Sequence, residues 1–447
     1  MFNRILIANR GEVALRVIRA CQELGVETVT VYSEADRDAI YLKQGSEGIC
    51  IGAGDPAQSY LNIPAIISAA EISDVDAIHP GYGFLAEDPH FAEICESHQI
   101  KFIGPSPNTI STITDKAGAK KIAAGCDVSV VPGSSDVLKD EDEAIAAARD
   151  VGYPVVIKAQ AAGSGKGLKV AHNEISLVNS FFTARSEAET LYGNGAVYLE
   201  KYLEKPRKIE FQLLADEHGN IIHLGERDCS LQRQHTKLIE ETPSPVIDEK
   251  LRHEMGEAAK RIAQAVELRS VGTVQFLLDK ARNYYFMEMT GRLQFEHPIT
   301  EMVTNIDLVK EQIRIAAGER LRWRQEEVHL SGVAIECRIN AEDPENDFKP
   351  CLGKIAEYYP PGGRGVRIDS HIYAGYDLPG GYDPLPGKLI VHANNRSTAI
   401  LRMRRALGEF VIDGVKTIIP LYKKIFGHMR YKGGDIDTMF IDEYFGT

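Results

Sequence analysis

The sequence predicts an α/β protein of several domains, and three observations support this fold class. The chain has 447 residues, a length that predicts two to four domains at roughly 100 to 200 residues each. Residues 5–32 contain an apolar strand, an amphipathic helix and a second apolar strand, which form a strand-helix-strand unit. Residues 153–171 and 274–289 each contain two apolar strands joined by a short loop, a pattern typical of hairpins.

Composition describes a soluble globular protein and argues against several classes. Hydrophobic residues make up 44% and charged residues 26% of the chain. The formal net charge of -13 argues against a general nucleic-acid binder, so any anion site must be local. No apolar run is long enough to span a bilayer, so no membrane association is expected. The 7 cysteines include no Cys-x-x-Cys pair, which indicates neither a zinc cluster nor a disulfide framework and favours a cytoplasmic protein.

The N-terminal unit predicts the start of an open sheet. Ile5–Ala8 is expected to form a buried strand, Glu12–Leu24 a helix and Thr28–Tyr32 the next strand. The turn at residues 9–11 (Asn-Arg-Gly) lacks the Gly-x-Gly-x-x-Gly fingerprint, which argues against a dinucleotide site despite the Rossmann-like pattern. The proline and glycines of residues 76–84 predict a loop after a short strand, where open parallel sheets bind ligands.

A glycine-rich loop follows a strand in the middle of the chain. Tyr153–Lys158 predicts the strand, residues 162–167 the loop (Ala-Gly-Ser-Gly-Lys-Gly) and Leu168–Ala171 a second strand. The backbone N–H groups of such a loop can approach phosphates closely. A Walker motif is excluded because Gln160 and Gly167 stand where it requires a glycine and a hydroxyl residue. A turn without a ligand is the alternative interpretation.

Further elements are expected between residues 197 and 339. They are strands at Val197–Lys201, Ile209–Ala215 and Ile221–Glu226 that look antiparallel, a helix over about Glu249–Glu267, a hairpin of Val274–Leu278 with Tyr284–Met289, and a strand at Val333–Ile339. Pairing of the hairpin strands would bring Gln275 and Glu288 to one face, a geometry in which the two side chains can share a divalent cation.

Two carboxylates, an arginine and an amide lie within nine residues, at positions 288 to 296. Glu288 follows an apolar strand, where a lone carboxylate is costly unless it is paired or bound to a metal. Arg292 can grip a planar anion bidentately beside the amide of Gln294, and Glu296 can take a proton from that anion. The segment therefore predicts a site for a metal and a small anionic substrate. A structural ion pair between Glu288 and Arg292 is the alternative.

Three cations are harder to assign from their neighbours. Lys158 ends an apolar strand and enters the glycine-rich loop, which favours neutralisation of phosphate charge over a solvated surface position. Lys116 by itself indicates only a surface charge. Arg338 lies in an apolar strand and is either part of a core ion pair or an active-site cation. Together these residues indicate a magnesium-dependent nucleotide enzyme that acts on a small acid.

Five longer motifs carry a resemblance that extends from Ile5 to the C-terminal region. They are His79-Pro-Gly-Tyr-Gly-Phe-Leu85, Glu226-Arg-Asp-Cys-Ser230, Glu296-His-Pro-Ile-Thr-Glu-Met302, Glu336-Cys-Arg-Ile-Asn-Ala-Glu-Asp343 and His371-Ile-Tyr-Ala-Gly-Tyr376. The chain resembles biotin carboxylase, the ATP-grasp subunit or domain of biotin-dependent acyl-CoA and keto-acid carboxylases. This resemblance implies an ATP-dependent ligase that carboxylates biotin with bicarbonate by way of carboxyphosphate.

The resemblance also implies a division into three domains. A Rossmann-like (pre-ATP-grasp) domain is expected over residues 1–114, an ATP-grasp domain over 115–330 and a C-terminal biotin carboxylase domain over 331–447. A mobile lid of about residues 131–203 is expected to gate the chemistry by excluding water from a labile phosphoanhydride.

The positions that match the family's motifs supply the expected site residues. For ATP these are Lys116, Lys158, Ser164 and Gly165 at the phosphates, Glu200, Lys201 and Leu203 at the adenine, Lys208 at the position of a ribose contact, and Gln232, His235 and Leu277 in the rest of the pocket. For Mg²⁺ (or Mn²⁺) they are Gln275, Glu288 and Thr290. For bicarbonate, Glu296 is the base, and Lys237, Arg292, Gln294 and the backbone at Phe295 hold the substrate. For biotin, Arg338 stabilises the enolate, and Tyr82 and Gly83 lie beside biotin.

Several of these positions depart from the pattern usual in the family. Gln275 replaces a second metal-binding glutamate and Thr290 an asparagine, so one ligand charge is lost and magnesium affinity is expected to drop. The loop at residues 160–166 has lost glycines, Lys208 replaces a histidine, and Phe295 replaces a valine. An active enzyme with an altered metal shell is the favoured interpretation. A catalytically weakened homologue that serves as a structural or regulatory subunit is the alternative.

The expected partners follow from the resemblance. The sequence contains no Met-Lys-Met type attachment site, so biotin is expected on a separate biotin carboxyl carrier protein. A carboxyltransferase subunit is expected to choose the final acceptor of the carboxyl group, which these residues do not specify. The resemblance implies a homodimer.

Overall fold

The structure is a computed structural model that describes residues 1–134, 136–160, 168–234 and 236–446. No helix within these ranges combines the length and the apolar character needed to cross a bilayer.

A parallel sheet flanked by helices forms the N-terminal region. Its elements are β1 (Arg4–Ile7), α1 (Gly11–Leu24), β2 (Glu27–Ser33), β3 (Glu47–Gly52), α2 (Ile63–Ile72), β4 (Ala77–His79), α3 (Pro89–Ser97), β5 (Lys101–Phe102) and α4 (Pro107–Thr114). The five strands lie in the order β3-β2-β1-β4-β5, and every neighbouring pair is parallel. The predicted strand-helix-strand unit is confirmed, with bounds that shift by one residue.

The predicted loop after β4 brings Tyr82 to the carboxyl end of this sheet. Gly81 and Gly83 adopt φ values of 64° and 75°, which L-residues with side chains rarely adopt. A Cβ at Gly81 would lie 3.0 Å from both the Asn9 amide nitrogen and a methyl group of Val13. Glycine therefore lets the loop approach the turn between β1 and α1 closely.

The next elements form a small antiparallel sheet. They are α5 (Lys116–Gly125), α6 (Glu141–Val151), β6 (Val155–Ala159), β7 (Leu168–Ala171), α7 (Glu174–Tyr192) and β8 (Val197–Lys201). The predicted pairing of β6 with β7 is confirmed, and β8 pairs with the other edge of β6. The sheet and helices α6 and α7 share an apolar core that includes Ile157, Phe181 and Leu199.

A large sheet forms the rest of the molecule. The elements up to residue 339 are β9 (Arg207–Ala215), β10 (Ile221–Arg233), β11 (Thr236–Thr242), α8 (Glu249–Ala265), β12 (Ser270–Leu278), β13 (Tyr284–Thr290), α9 (His297–Thr304), α10 (Leu308–Ala316) and β14 (Val333–Ile339). Those that follow are β15 (Glu342–Asp343), β16 (Lys349–Pro350), β17 (Gly353–Lys354), β18 (Glu357–Tyr359), β19 (Val366–Ser370), β20 (Asp377–Leu378), β21 (Gly387–Ala393), α11 (Arg396–Glu409), β22 (Val411–Asp413), α12 (Ile419–Ile425), α13 (Met429–Gly433) and α14 (Phe440–Phe445).

The strand order of the large sheet is β13-β12-β9-β10-β11-β14-β21-β19. It is continuous across residue 331, where the sequence predicts a domain boundary, because β11 pairs with β14 along residues 239–242 and 334–337. Helix α9 packs on this sheet, where Ile299 and Val303 contact Ala334 and Ile390. Side chains from both sides of the predicted boundary therefore meet under α9.

Candidate active site

The hairpin of β12 and β13 places Gln275 directly opposite Glu288, as the sequence predicts. Gln275 is buried, and its Oε1 atom has no hydrogen-bond partner among the described residues. The Glu288 side chain is 27% exposed, and its carboxylate lies 3.7 Å from the Lys116 ammonium. Burial raises the pKa of Glu288, but Lys208, Lys116 and two further lysines outweigh it and lower that pKa below its ordinary value. The hairpin thus presents an anion and an unpartnered oxygen side by side.

The loop after β13 is held by its own side chains. Gln294 donates from Nε2 to Thr290 Oγ1 at 2.5 Å. Arg292 donates from Nε to the Glu87 carboxylate at 2.6 Å and from Nη1 to the Leu293 carbonyl at 3.1 Å. The alternative of a structural ion pair between Glu288 and Arg292 is wrong, because Arg292 takes Glu87 as its carboxylate partner.

Glu296 is fully buried between two cations. Lys237 donates from Nζ to Glu296 Oε1 at 2.6 Å, and Arg338 donates from Nη2 to Oε2 at 2.9 Å. Burial raises the pKa of Glu296, but Lys237, Arg338 and then Arg227 outweigh it and hold that pKa well below its ordinary value. Glu296 is therefore an anion throughout the neutral range.

The sheet and α9 explain why these three residues meet. Lys237 lies near the start of β11 and Arg338 near the end of β14, and the antiparallel register of Ile239 with Cys337 brings those ends together. Glu296 is the residue immediately before α9, which packs on both strands. Each cation also contacts a second buried carboxylate: Lys237 pairs with Glu210, and Arg338 donates from Nε to Glu240 at 2.9 Å.

Phe295 connects this cluster to a cavity of about 380 Å³. Its ring lies 4.1 Å from the Tyr82 ring between centroids, and the Arg338 guanidinium carbon lies 4.7 Å from the centre of its ring. The Phe295 carbonyl accepts a hydrogen bond from the buried ammonium of Lys388 at 2.9 Å. Tyr82, Gly83 and Phe295 are among the residues that line the cavity.

A second cavity of about 500 Å³ lies between the small sheet and β13. Its lining includes Lys116, Lys158, Glu200 and Leu277, four of the residues expected to bind ATP. Lys158 contacts the Glu200 carboxylate at 2.5 Å and Lys120 contacts it at 2.8 Å. Burial raises the pKa of Glu200, but these two lysines outweigh it and lower that pKa below its ordinary value.

The other residues expected at the nucleotide have varied positions. Lys201 donates from its ammonium to the carbonyls of Gly152 and Tyr153, both at 2.9 Å. Lys208 is buried with its ammonium 3.8 Å from Glu210, and Gln232 lies opposite Lys237 on the neighbouring strand. Leu203 is half-buried. The expected residues Ser164, Gly165 and His235 lie outside the described residues.

Five ionic residues of the site were not predicted from the sequence: Glu87, Lys120, Glu210, Glu240 and Lys388. One signal was available for Glu210, which stands between Ile209 and Phe211 in a strand whose interior is fully buried. A charge inside an apolar strand needs a partner, the same argument that singled out Arg338. Glu87 follows no comparable pattern.

Comparisons with known proteins show the family of the chain. Three family models match the chain: the biotin carboxylase N-terminal domain at residues 1–110, the carbamoyl-phosphate synthase L chain ATP-binding domain at 115–324, and the biotin carboxylase C-terminal domain at 336–443. The chain is 52% identical to a biotin carboxylase of Nostoc sp. and 50% identical to biotin carboxylase 1 of Bacillus subtilis, each over 99% of both chains. It is also 50% identical to a pyruvate carboxylase subunit of Methanothermobacter thermautotrophicus, over 99% of this chain and 90% of that one.

Solved structures give the same result. A biotin carboxylase complex with β,γ-ATP from Campylobacter jejuni matches with a TM-score of 0.96 and 47% identity, over 99% of both chains. The biotin carboxylase domain dimer of Hydrogenobacter thermophilus 2-oxoglutarate carboxylase, in complex with MgADP, ADP and bicarbonate, matches with a TM-score of 0.96 and 47% identity, over 99% of this chain and 98% of that one.

Proposed function

The chain belongs to the biotin carboxylase family, and on this premise we propose how its residues use ATP and bicarbonate to carboxylate biotin. It is an ATP-dependent ligase whose cofactor is magnesium. The observation that carries the proposed assignment of roles is Glu296, a buried carboxylate clamped by Lys237 and Arg338. An anionic substrate can exchange places with that carboxylate as the partner of either cation.

Glu296 acts as the base toward bicarbonate in this proposal. Before bicarbonate binds, both cations hold its pKa low. Bicarbonate competes for Lys237 and Arg338, and each contact it takes from Glu296 makes that carboxylate a stronger base. Glu296 then takes the bicarbonate proton, and the freed oxygen attacks the γ-phosphate to give carboxyphosphate and ADP. Carboxyphosphate breaks into carbon dioxide and phosphate, and phosphate takes the N–H proton of the biotin ureido group. The enolate that results attacks carbon dioxide, which forms the new nitrogen–carbon bond of carboxybiotin.

Lys116 and Lys158 neutralise the transferred phosphate. Phosphoryl transfer requires positioned positive charge more than covalent help from the protein, and both lysines are among the residues that line the 500 Å³ cavity. Lys158 contacts the Glu200 carboxylate, so a phosphate that binds this ammonium competes with that carboxylate.

The residues at the hairpin fit a magnesium ion. Gln275 Oε1 is a buried oxygen without a partner in the described part of the chain, and the Glu288 carboxylate lies opposite it. Oxygen ligands of this kind suit a hard cation. Magnesium would be held by Gln275 and Glu288, with Thr290 as the third proposed ligand, and when bound it supplies positive charge next to the phosphates.

Biotin is proposed to approach from the 380 Å³ cavity. Tyr82, Gly83 and Phe295 line that cavity, and Arg338 lies across the Phe295 ring, where its guanidinium can stabilise the biotin enolate. The proposed donor of biotin is a separate carrier protein, and the proposed consumer of carboxybiotin is a carboxyltransferase subunit. One relative is named as a subunit, which supports assembly with other subunits. One matched structure is a dimer, which supports a homodimer. We propose that the protein is cytoplasmic.

Bicarbonate-dependent ATP hydrolysis with free biotin tests the proposal. We expect ADP release that requires bicarbonate and rises with biotin, at saturating magnesium. Intact ATP binding without biotin-stimulated turnover, with either magnesium or manganese, would contradict the assigned roles and support a homologue that has lost catalysis.

A further inference from the structure

Two carboxylic acids lie side by side under α9 at the seam of the large sheet. Glu240 on β11 and Glu336 on β14 are cross-strand partners, and neither has any solvent exposure. Side chains directly opposite in an antiparallel pair have Cβ atoms about 4.5–5.5 Å apart. Arg338 lies two residues beyond Glu336 on the same face of the same strand. The pair is therefore a direct neighbour of the catalytic cluster.

Of the four carboxyl oxygens of the pair, one has a hydrogen-bond partner among the described residues and three do not. Arg338 donates from Nε to Glu240 Oε1 at 2.9 Å. Glu240 Oε2 and both oxygens of Glu336 are buried and have no hydrogen-bond partner among the residues that the structure describes. Two ionised carboxylates at directly opposite positions, with an arginine in contact with only one of them, would repel each other in a medium that screens poorly. One proton removes the repulsion and also supplies the missing donor.

We propose that Glu336 is a protonated, neutral acid at neutral pH. Its O–H group donates a hydrogen bond to Glu240 Oε2. Glu240 then remains an anion with both oxygens satisfied, one by Arg338 and one by Glu336. The assignment of the proton to Glu336 follows from the contacts, because Arg338 stabilises the charged form of Glu240 while Glu336 has no cation in hydrogen-bonding contact within the described residues.

The surroundings favour the same distribution of charge. Lys388 on β21, a cation that interacts electrostatically with Glu336, is engaged by the Glu12 carboxylate at 3.0 Å and the Phe295 carbonyl at 2.9 Å. Burial raises the pKa of both Glu336 and Glu240 above the ordinary carboxyl value. The charged and titratable groups that act on the pair are Lys237 on β11, Cys337 and Arg338 on β14, Lys388 on β21, Glu210 on β9, Cys229 on β10, Glu296 directly before α9, and Tyr422 on α12.

Glu336 is thereby a positioning residue for Arg338. Glu240 fixes the Nε edge of the guanidinium, which leaves Nη2 directed at Glu296 at 2.9 Å. Loss of the proton from Glu336 would put a second anion beside Arg338 and draw the guanidinium away from Glu296. The consequence for turnover rests on the proposed function, whereas the protonated acid itself does not.

Infrared difference spectroscopy tests the proton directly. The spectrum of the wild type minus that of Glu336→Gln at pH 7 should contain the carbonyl-stretch band of a protonated carboxylic acid. If Glu336→Gln does not fold, the spectrum of Glu240→Gln is subtracted instead. The amide N–H introduced at position 240 donates a hydrogen bond to Glu336, so Glu336 can lose its proton and the band should be absent from that variant. A difference spectrum that lacks this band overturns the proposal, whatever the activity of the protein.

Paired substitutions test the positioning role. Glu336→Gln keeps a neutral donor for Glu240 and should retain biotin-dependent kcat within about threefold, whereas Glu336→Leu leaves Glu240 Oε2 unpaired and should lower kcat about tenfold or more. The KM for ATP should stay the same in both. In the wild type kcat should fall at high pH, where Glu336 loses its proton, and Glu336→Gln should not show this loss. Equal kcat and pH profiles in the two variants would overturn the role. If the band is present but no form of the protein carboxylates biotin, the proposed function fails and the proton assignment stands.

Discussion

The two halves of the proposed active site differ in how deeply their cations are buried. On the bicarbonate side, Glu296, Lys237 and Arg338 are almost completely buried, and each makes at least two ionic contacts. On the nucleotide side, the side chains of Lys116, Lys120 and Lys158 remain 31%, 21% and 22% exposed.

This difference predicts different consequences of substitution on the two sides. Bicarbonate is proposed to compete with Glu296 for Lys237 and Arg338, whose strands are paired in the large sheet. ATP is proposed to compete with Glu200 for Lys158, and the small sheet that carries both residues lies in the segment expected to move as a lid. Substitution of Glu296 should therefore change turnover, and substitution of Glu200 should change the KM for ATP.

Glu296→Gln should give the largest effect. It keeps the shape of the side chain but removes the base, so we expect biotin-dependent turnover to fall about 1000-fold. The KM for ATP should be unchanged. Glu301→Gln is the matched control, since it removes a buried carboxylate that pairs with Arg16 and Arg367 away from the reacting groups. If Glu296→Gln retains turnover, another group is the base.

The same variant should show how strongly the bicarbonate side is held together. At pH 7 its free energy of unfolding should be about 3 kcal/mol lower than that of the wild type, because two buried cations lose a partner. The pKa of Glu296 is lower in the folded protein than the ordinary 4.5, so this stabilisation is present above that value and is lost as pH falls through the folded pKa. Urea denaturation at stepwise lower pH measures the difference, and a difference that does not change with pH would contradict the assigned ion pairs.

Glu200→Gln should lower the KM for ATP, which tests the proposed nucleotide side. Lys158 and Lys120 lose the carboxylate that competes with phosphate for them, so the KM for ATP should fall about fivefold, as expected for a partly exposed ion pair. The KM for bicarbonate should stay constant. The exposed Glu204 offers a control in Glu204→Gln. A rise in the KM for ATP would mean that the adenine contact implied for Glu200 outweighs its competition with phosphate for the two lysines.

Gln275→Glu should have the smallest effect. A second carboxylate opposite Glu288 restores a charged magnesium ligand and should lower the Kd for magnesium several-fold and raise turnover. The rise in Tm on adding magnesium measures binding without reference to catalysis, and Gln264→Glu on the exposed side of α8 is the control. If the magnesium dependence of Tm does not change, Gln275 is not a ligand.

Much of the fold and part of the site follow from local sequence. The strand-helix-strand unit, the pairing of β6 with β7 and the cross-strand position of Gln275 and Glu288 are confirmed, because each depends on apolar spacing and short connections. The ion-pair partners of the cations could not be predicted from local sequence. The alternative interpretation paired Arg292 with Glu288, four residues away, but its partner is Glu87, which is 205 residues away.

The sequence by itself determined which chemical groups stand close together along the chain: a strand with Glu288 near its end, a loop with Arg292 and Gln294, and Glu296 directly before a helix are local features that short motifs carry. Only the tertiary structure decided which charges meet. Lys237 and Glu240 join Arg338 and Glu336 because β11 and β14 pair across some 98 residues of chain. Register between distant strands is set by the packing of the whole sheet, and in a buried site register alone decides which carboxylate each cation neutralises and which carboxylate must keep its proton.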